Sequence, residues 1–377
     1  MTKEKHTFTK AFTKRLSNFQ STMRLVIGMI PAPKLPLLTP AEAFGPDLER
    51  FRNRQQTFIS WRDKQLQSWT FNGQLKTSRG RLYGFQLRFV DRRTQNDFFG
   101  AVPTRWLKPR VFAAHFSLAD AMNSELSKVF RSFERGGVFS KTSGFAADDR
   151  FHIEVGGWNA FQRDDGSFTL SINAEEISLH LDLRQTAPLV YHGQSGYVDH
   201  QSRSSFYCSA PRLAATGRLI IDDKLEDVTG VVWLDHEKLT GSAEKSDADH
   251  DRIALQFESG ENLLISDQGT STFATWIDSS GNTQHLISSE IRLTNTEYWI
   301  SPRTGARYPI KRHIRLEPLN REFDIKPTVI DQELDLMRSM FSCAWEGAIS
   351  APGAVGFMSL HGKDHRRATR ALEFLVR

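Results

Sequence analysis

Near the middle of the chain, Val231-Val232-Trp233-Leu234-Asp235-His236-Glu237 places two carboxylates and an imidazole at three consecutive positions of an apolar run. The run follows a turn, Asp227-Val228-Thr229-Gly230, and reads as a β-strand. Asp and Glu are poor strand formers, and charged groups are seldom buried without partners. Side chains alternate along a strand, so Trp233, Asp235 and Glu237 share one face while Leu234 and His236 share the other. An acid buried beside an indole holds its proton to higher pH than usual and can then deliver it. A neighbouring carboxylate can accept one. The competing reading is structural, with Asp235 and Glu237 at a strand end and paired with arginines. Glu346, in Trp345-Glu346-Gly347, repeats the pattern of an acid beside a tryptophan.

Motifs for other chemistries are missing. The chain has no HExxH, GxSxG or P-loop, and no GxGxxG placed after a strand, so no cofactor or metal is expected. Asp247, Asp249, Asp251 and Glu258 have the carboxylate spacing of a calcium loop, but Arg252 stands where the turn needs Gly. A solvated acidic loop is the expectation there. The 12 histidines are scattered, with His115 and His192 in the more distinctive contexts. Cys208 and Cys343 each fall in an apolar run with no CxxC or Cys/His neighbour, which predicts buried free thiols.

The elements that must position these residues are β-strands. With 377 residues, 39% of them hydrophobic and 25% charged, the chain is long enough for two ordinary globular domains. From Leu66 to about Leu360, short β-runs alternate with turn residues, among them the hairpin signal Ser78-Arg79-Gly80. Ala119 to Phe133, with helical spacing, is the main exception. Without βαβ alternation, the pattern predicts antiparallel barrels or sandwiches. Trp69 to Val90 and Val231 to Ile265 resemble each other, each opening on a Trp-bearing strand. Two barrels in tandem account for this echo, with residues 66–216 in the first, 217–362 in the second, and the join near Gly217 to Gly230.

The flanks differ in character. Residues 1–65 comprise a basic arm, a linker with Pro31, Pro33, Pro36 and Pro40, and a short helix within Ala41 to Lys64. Residues 363–377 read as an amphipathic helix. No apolar run approaches the ~20 residues that span a bilayer, and Leu25 to Ile30 is too short for a secretory core. A cytoplasmic protein is the expectation, with the basic N- and C-terminal segments as points of peripheral membrane contact. A net charge of +5 without long basic, aromatic-interleaved blocks points away from nucleic acid.

Seven motifs then add up to a resemblance. They are His115-Phe-Ser-Leu-Ala-Asp120, His192-Gly-Gln-Ser-Gly-Tyr197, Phe206-Tyr-Cys-Ser-Ala-Pro-Arg-Leu213, Val228 to Glu237, Trp299 to Pro309, Asp331-Gln-Glu-Leu334 and Trp345-Glu-Gly-Ala348. In this order, across roughly Leu66 to Gly362, the chain resembles the lipocalin-like family of AttH-type proteins and carotenoid 1,2-hydratases (hydroxyneurosporene synthases). It departs from that pattern at Gln67-Ser68-Trp69-Thr70-Phe71, at Lys238, at Asp251-Arg-Ile-Ala-Leu255, and at Gly356 to Gly362, which lacks the usual acid. The resemblance implies two lipocalin-like barrels and a lipophilic small-molecule partner. It also implies hydratase- or cyclase-type chemistry on a C=C bond of a polyene or isoprenoid. Asp235 would then protonate the double bond, and Glu237, His236 and Glu346 are the other candidate acid–base groups. Trp233, Trp69, Tyr197, Trp299 and Trp345 would line the substrate site. The alternative is a non-catalytic carrier of a hydrophobic ligand. In that case the acids would join the barrels through pairs with Arg212 or Arg307.

Overall fold

The computed structural model describes residues 66–93, 98–99, 102–103, 110–121, 128–135, 144–147, 150–174, 176–193, 195–199, 204–240, 250–269, 271–335, 343–361 and 363. All lie in the larger of two compact units, Phe51–Arg377. The basic arm, the proline linker, the helix expected before Leu66 and the C-terminal helix fall outside the described residues. No helix among the described residues is long and apolar enough to cross a membrane.

In chain order the first fifteen strands are β1 (Leu66–Thr77), β2 (Leu82–Arg93), β3 (Phe98–Phe99), β4 (Val102–Pro103), β5 (Arg110–Asp120), β6 (Lys128–Arg135), β7 (Phe145–Ala146), β8 (His152–Val155), β9 (Trp158–Gln162), β10 (Phe168–Ala174), β11 (Ile177–Gln185), β12 (Val190–Tyr191), β13 (Tyr197–Asp199), β14 (Ser204–Ile221) and β15 (Lys224–Thr240). Except for the β3–β4 ladder, they form one antiparallel sheet in the order β6-β5-β2-β1-β15-β14-β11-β10-β9-β8-β7, with β12 and β13 alongside β14. The sheet curls until β5 and β6 approach β8.

The remaining strands are β16 (His250–Phe257), β17 (Asn262–Asp267), β18 (Thr272–Ile277), β19 (Thr283–Ile287), β20 (Ile291–Ile300), β21 (Arg307–Leu316), β22 (Arg321–Pro327), β23 (Glu333–Asp335), β24 (Cys343–Ala351) and β25 (Ala354–His361). Their order is β19-β18-β17-β16-β25-β24-β22-β21-β20, with β23 beside β24. This sheet curls until β18 approaches β20. Two lipocalin-like antiparallel barrels result, and both interiors are filled with side chains. Phe71, Phe85, Phe89 and Phe116 are buried in the first, and Ile253, Leu255, Tyr308 and Met358 in the second.

Burial patterns show where the barrels meet. In β11, Ile177, Leu179, Leu181 and Leu183 are buried and alternate with more exposed residues, as a half-exposed strand requires. In β1, by contrast, Gln67 to Gly73 are all buried. Its odd positions fill the first barrel and its even positions face the second. The same two-sided burial holds in β15 from Val232 to Lys238, and in β24 from Cys343 to Ile349. Contact is close: Gln74 Nε2 donates to Ile349 O at 3.2 Å, and a Cβ on Gly84 would lie 2.4 Å from the Cβ of Ala348.

Several expectations need correcting. The first sheet runs through to Thr240, so the join expected near Gly217 to Gly230 lies inside the β14–β15 hairpin. The Trp233 strand therefore does not open a second barrel. It pairs with β1, Trp69 opposite His236, and the echo between the two strands reflects neighbours in one environment. Residues 128–135, within the stretch given helical spacing, form a strand paired to β5. Asp251 is no part of a solvated loop. It is buried in β16, accepting a hydrogen bond from Arg312 and lying 3.1 Å from Lys363 Nζ. Cys208 and Cys343 are buried free thiols, as expected.

Because no side chain fits between Gly84 and Ala348, Gly84→Val should destabilise the protein by about 1–3 kcal/mol, the usual cost of overpacking. Urea denaturation of the two proteins checks this, and the smaller Gly84→Ala should fall between them.

Candidate functional site

Strand alternation carries Trp233, Asp235 and Glu237 to the face of β15 that meets the second barrel. Trp233 Nε1 donates to Asp235 Oδ1 at 2.6 Å, and Ser209 Oγ, from the paired position on β14, donates to the same oxygen at 2.5 Å. The other oxygen, Oδ2, is buried and has no hydrogen-bond partner among the described residues. From β16, Arg252 donates through Nη2 to Glu237 Oε2 at 2.9 Å, with Nη1 3.8 Å from Asp235 Oδ2. The Arg252 guanidinium also lies over the Tyr207 ring, 4.5 Å from its centroid. Around Trp233 and Tyr207 pack Val190, Val198, Ala254, Leu264 and Ile277.

Desolvation governs the electrostatics here. Burial pushes the Asp235 carboxyl upward, against the pull of Arg252, of the Ser209 and Trp233 hydrogen bonds and of the Tyr207 hydroxyl. Burial likewise raises the Tyr207 hydroxyl well above its usual value and holds His192 well below that of a free imidazole. His192 is thus neutral. Its ring packs on Tyr207, 4.5 Å between centroids, and bridges Ser209 Oγ at 2.8 Å and Thr275 Oγ1 at 3.0 Å. Gly193 next to it takes φ 62°, and a Cβ there would lie 2.3 Å from Tyr197 O, so the turn that presents His192 requires glycine.

A second charged cluster lies farther along the same interface. Glu346, on β24, accepts from Arg88 Nη1 at 3.4 Å and lies 3.0 Å from His115 Nε2 and 2.8 Å from His361 Nε2. Burial raises its carboxyl, but the hydrogen bonds and charges of His115 and His361 outweigh that and hold it well below the carboxylate range. The register relates the two clusters. Ser209, Asp235, Thr70, Arg88 and His115 form one cross-strand row on the first sheet. Arg252, Ser359 and Glu346 form another on the second. Arg252 and Glu346 are two strands apart, roughly 10 Å at ordinary strand spacing.

Not every candidate belongs here. His236 points into the first barrel, stacked on Trp69 with centroids 4.6 Å apart, and no bulge interrupts the β1–β15 register to turn it round. Trp69 is part of that barrel's core beside Phe151. Trp345 fills the second barrel and donates to Ile330 O at 2.8 Å, and Trp299 packs on Tyr308. Val198, rather than Tyr197, packs in the cluster around Trp233. Of the five aromatic candidates, Trp233 alone is placed beside the acid. Arg212 and Arg307 are not the acids' partners. Arg212 donates to Phe257 O and Asn262 Oδ1, and Arg307 lies over Tyr298. Beside Trp233, a cavity of ≈ 10 Å³ is bounded by Asn72, Gln74, Ala254, Gln256 and Phe357. That is room for about one water.

The family model for AttH-like proteins matches residues 56–363. The chain belongs to the AttH-like family. Among solved structures, this AttH-like chain is similar to one assigned as an AttH from Nitrosomonas europaea, with 24% identity and a TM-score of 0.71 over 89% of this chain and 100% of that one. It is also similar to kievitone hydratase from Nectria haematococca, with 13% identity and a TM-score of 0.60 over 78% of this chain and 88% of that one. No curated protein matches in sequence. At these identities the structural likeness establishes the AttH-like fold.

Sequence reasoning had marked the His192 and Phe206 to Leu213 motifs without assigning His192, Ser209 or Tyr207 a role beside Asp235. Arg252 stood out as a departure from the family pattern. His361 lies in the departing segment Gly356 to Gly362 but has no role assigned there, and Thr275 carries no signal, since only the packing of one barrel on the other brings them in.

Arg252→Met should cost about 3–5 kcal/mol at neutral pH, because it leaves the Glu237 carboxylate buried without the cation that donates to it. The deficit should shrink as pH falls and the acids protonate. Denaturant midpoints measured across pH check both the size and the sign.

Proposed function

We propose that this AttH-like protein is an enzyme that protonates a C=C bond of a lipophilic polyene or isoprenoid, leading to hydration or cyclisation. The observation that carries this reading is Asp235: buried, shifted toward its protonated form, anchored through Oδ1, and with no hydrogen bond to Oδ2 among the described residues. Protonating an isolated alkene requires an acid of this kind, held in low dielectric and aimed by fixed neighbours. Trp233 supplies a π face to stabilise the cation that forms. The water-sized cavity beside the indole suits the attacking water. Glu237, held by Arg252, is the acceptor for the proton that water releases, and Glu346 is the second candidate.

The cavity does not accommodate a polyene, so the substrate must part the two barrel faces around Trp233 to reach Oδ2. Binding and opening of the interface are then one event. That a fold neighbour carries a hydratase's name supports no more than the fold's capacity for such chemistry.

A second reading is favoured by the Arg252 pair. In that reading the protein is a non-catalytic carrier of a hydrophobic ligand, and the buried charges lock the two barrels together.

The readings separate on Asp235→Asn, whose amide keeps the shape but has no acidic proton. Incubation with acyclic polyenes and polyprenoids in ¹⁸O-water, followed by mass analysis, should show label incorporation or cyclisation by the wild type. In the variant, turnover should fall by ~10²–10⁴ or more, with ligand binding nearly intact. The wild-type rate should be highest below the raised pKa of Asp235 and fall as pH rises through it. Tight binding with no turnover of any polyene would favour the carrier. Equal turnover by Asp235→Asn would overturn Asp235 as the acid.

A further inference from the structure

From Asp235 a chain of hydrogen bonds leads across the interface to the surface of the second barrel. Ser209 Oγ is 2.5 Å from Asp235 Oδ1, and His192 Nε2 is 2.8 Å from Ser209 Oγ. On the far side of that ring, Nδ1 is 3.0 Å from Thr275 Oγ1, which is itself 3.0 Å from His285 Nδ1. Asp235, Ser209, His192 and Thr275 are buried, whereas His285, on β19, is exposed.

The polarity of the chain follows from counting protons. A hydroxyl has one proton to give. Ser209 gives its proton to Asp235, so it must accept from His192 Nε2–H. Neutral His192 then accepts at Nδ1, from Thr275. Thr275, its proton committed, accepts from His285 Nδ1–H. Every donor points toward Asp235. Polar groups that merely satisfy one another have no need of a single direction ending at solvent.

We propose that His285, Thr275, His192 and Ser209 form a proton relay that recharges Asp235 from solvent. The inference rests on the reading of Asp235 as an acid that gives up its proton in each turnover. A solvent proton bonds to His285 Nε2, and the Nδ1–H bond breaks as its proton passes to Thr275 Oγ1. Thr275 gives its original proton to His192 Nδ1, and His192 gives up Nε2–H to Ser209. Ser209 in turn passes its own proton to Asp235 Oδ1, and a half-turn of the neutral carboxyl about its Cβ–Cγ bond presents that proton on the side away from Ser209, where substrate meets it. One proton enters and one arrives, with no change of oxidation state. His285 and His192 both emerge as the other tautomer, so both rings and both hydroxyls must reset before a second proton follows. The relay acts among Glu237, Arg252 and Tyr207, which face Asp235 or His192 from β15, β16 and β14.

Time-resolved infrared spectroscopy tests this without a substrate. The protein starts at a pH where Asp235 is ionised, and a photoreleased acid lowers the pH. The carboxyl band that Asp235→Asn removes then reports how fast the proton arrives. Thr275→Val, nearly isosteric but without the hydroxyl, should slow its appearance by about 10²-fold, the scale on which positioned proton donors act. The final amplitude should be unchanged, and Thr275→Ser should restore the rate. His285→Phe, at an exposed position, should give the same slowing and serves if Thr275→Val fails to fold. Wild-type rates in both variants would overturn the relay and leave the acid reading standing. Absence of any Asp235 carboxyl band in the wild type would overturn both.

Discussion

Two carboxylates lie between two barrels, and the guanidinium of Arg252 lies within 4 Å of both. Removing a carboxylate from water costs several kcal/mol unless a cation or a proton compensates. Arg252 donates directly to Glu237 and stands farther from Asp235, so compensation is unequal. Glu237 has the cation's hydrogen bond, and burial pushes Asp235 toward its protonated form. The rest of the interface follows from that division: Trp233 and Ser209 fix one carboxyl oxygen, Tyr207 spreads under the guanidinium, and the other oxygen lies 3.8 Å from Arg252 Nη1.

The interface as a whole pushes its acids in opposite directions. Asp235 is shifted up by burial, while Glu346, roughly two strand spacings farther along, is held down by His115 and His361. Carboxyls whose surroundings separate their pKa values are a recurrent basis for acid and base roles within one fold. Such an arrangement is expensive to build on a barrel's outer face. It becomes feasible here because the second barrel excludes water from that face and brings its own charged partners.

Much of the site was legible in the sequence because it depends on a period of two. Trp233, Asp235 and Glu237 share a face by alternation alone, and alternation also sends His236 to the barrel interior. The barrels themselves followed from short strands and turn residues. What the sequence did not disclose is non-local. Arg252, Thr275 and His361 reach the site only through the packing of one curled sheet on another. The boundary was misplaced because β1 and β15 are adjacent and both buried on two faces, so their sequences came to look alike. Trp69, Trp299 and Trp345 illustrate a further limit: an inward-facing tryptophan has the same pattern whether it lines a cavity or fills a core.

The central claim is that Asp235 is a protonated acid at the barrel interface, and its titration tests this most directly. With ¹³C-labelled aspartate, the carboxyl resonance lost in Asp235→Asn can be followed against pH by NMR. The account predicts that Asp235 titrates above the value of about 3.9 typical of a free aspartate, and that its titration shifts upward again in Arg252→Met. A resonance that titrates at or below the ordinary carboxylate value would contradict it.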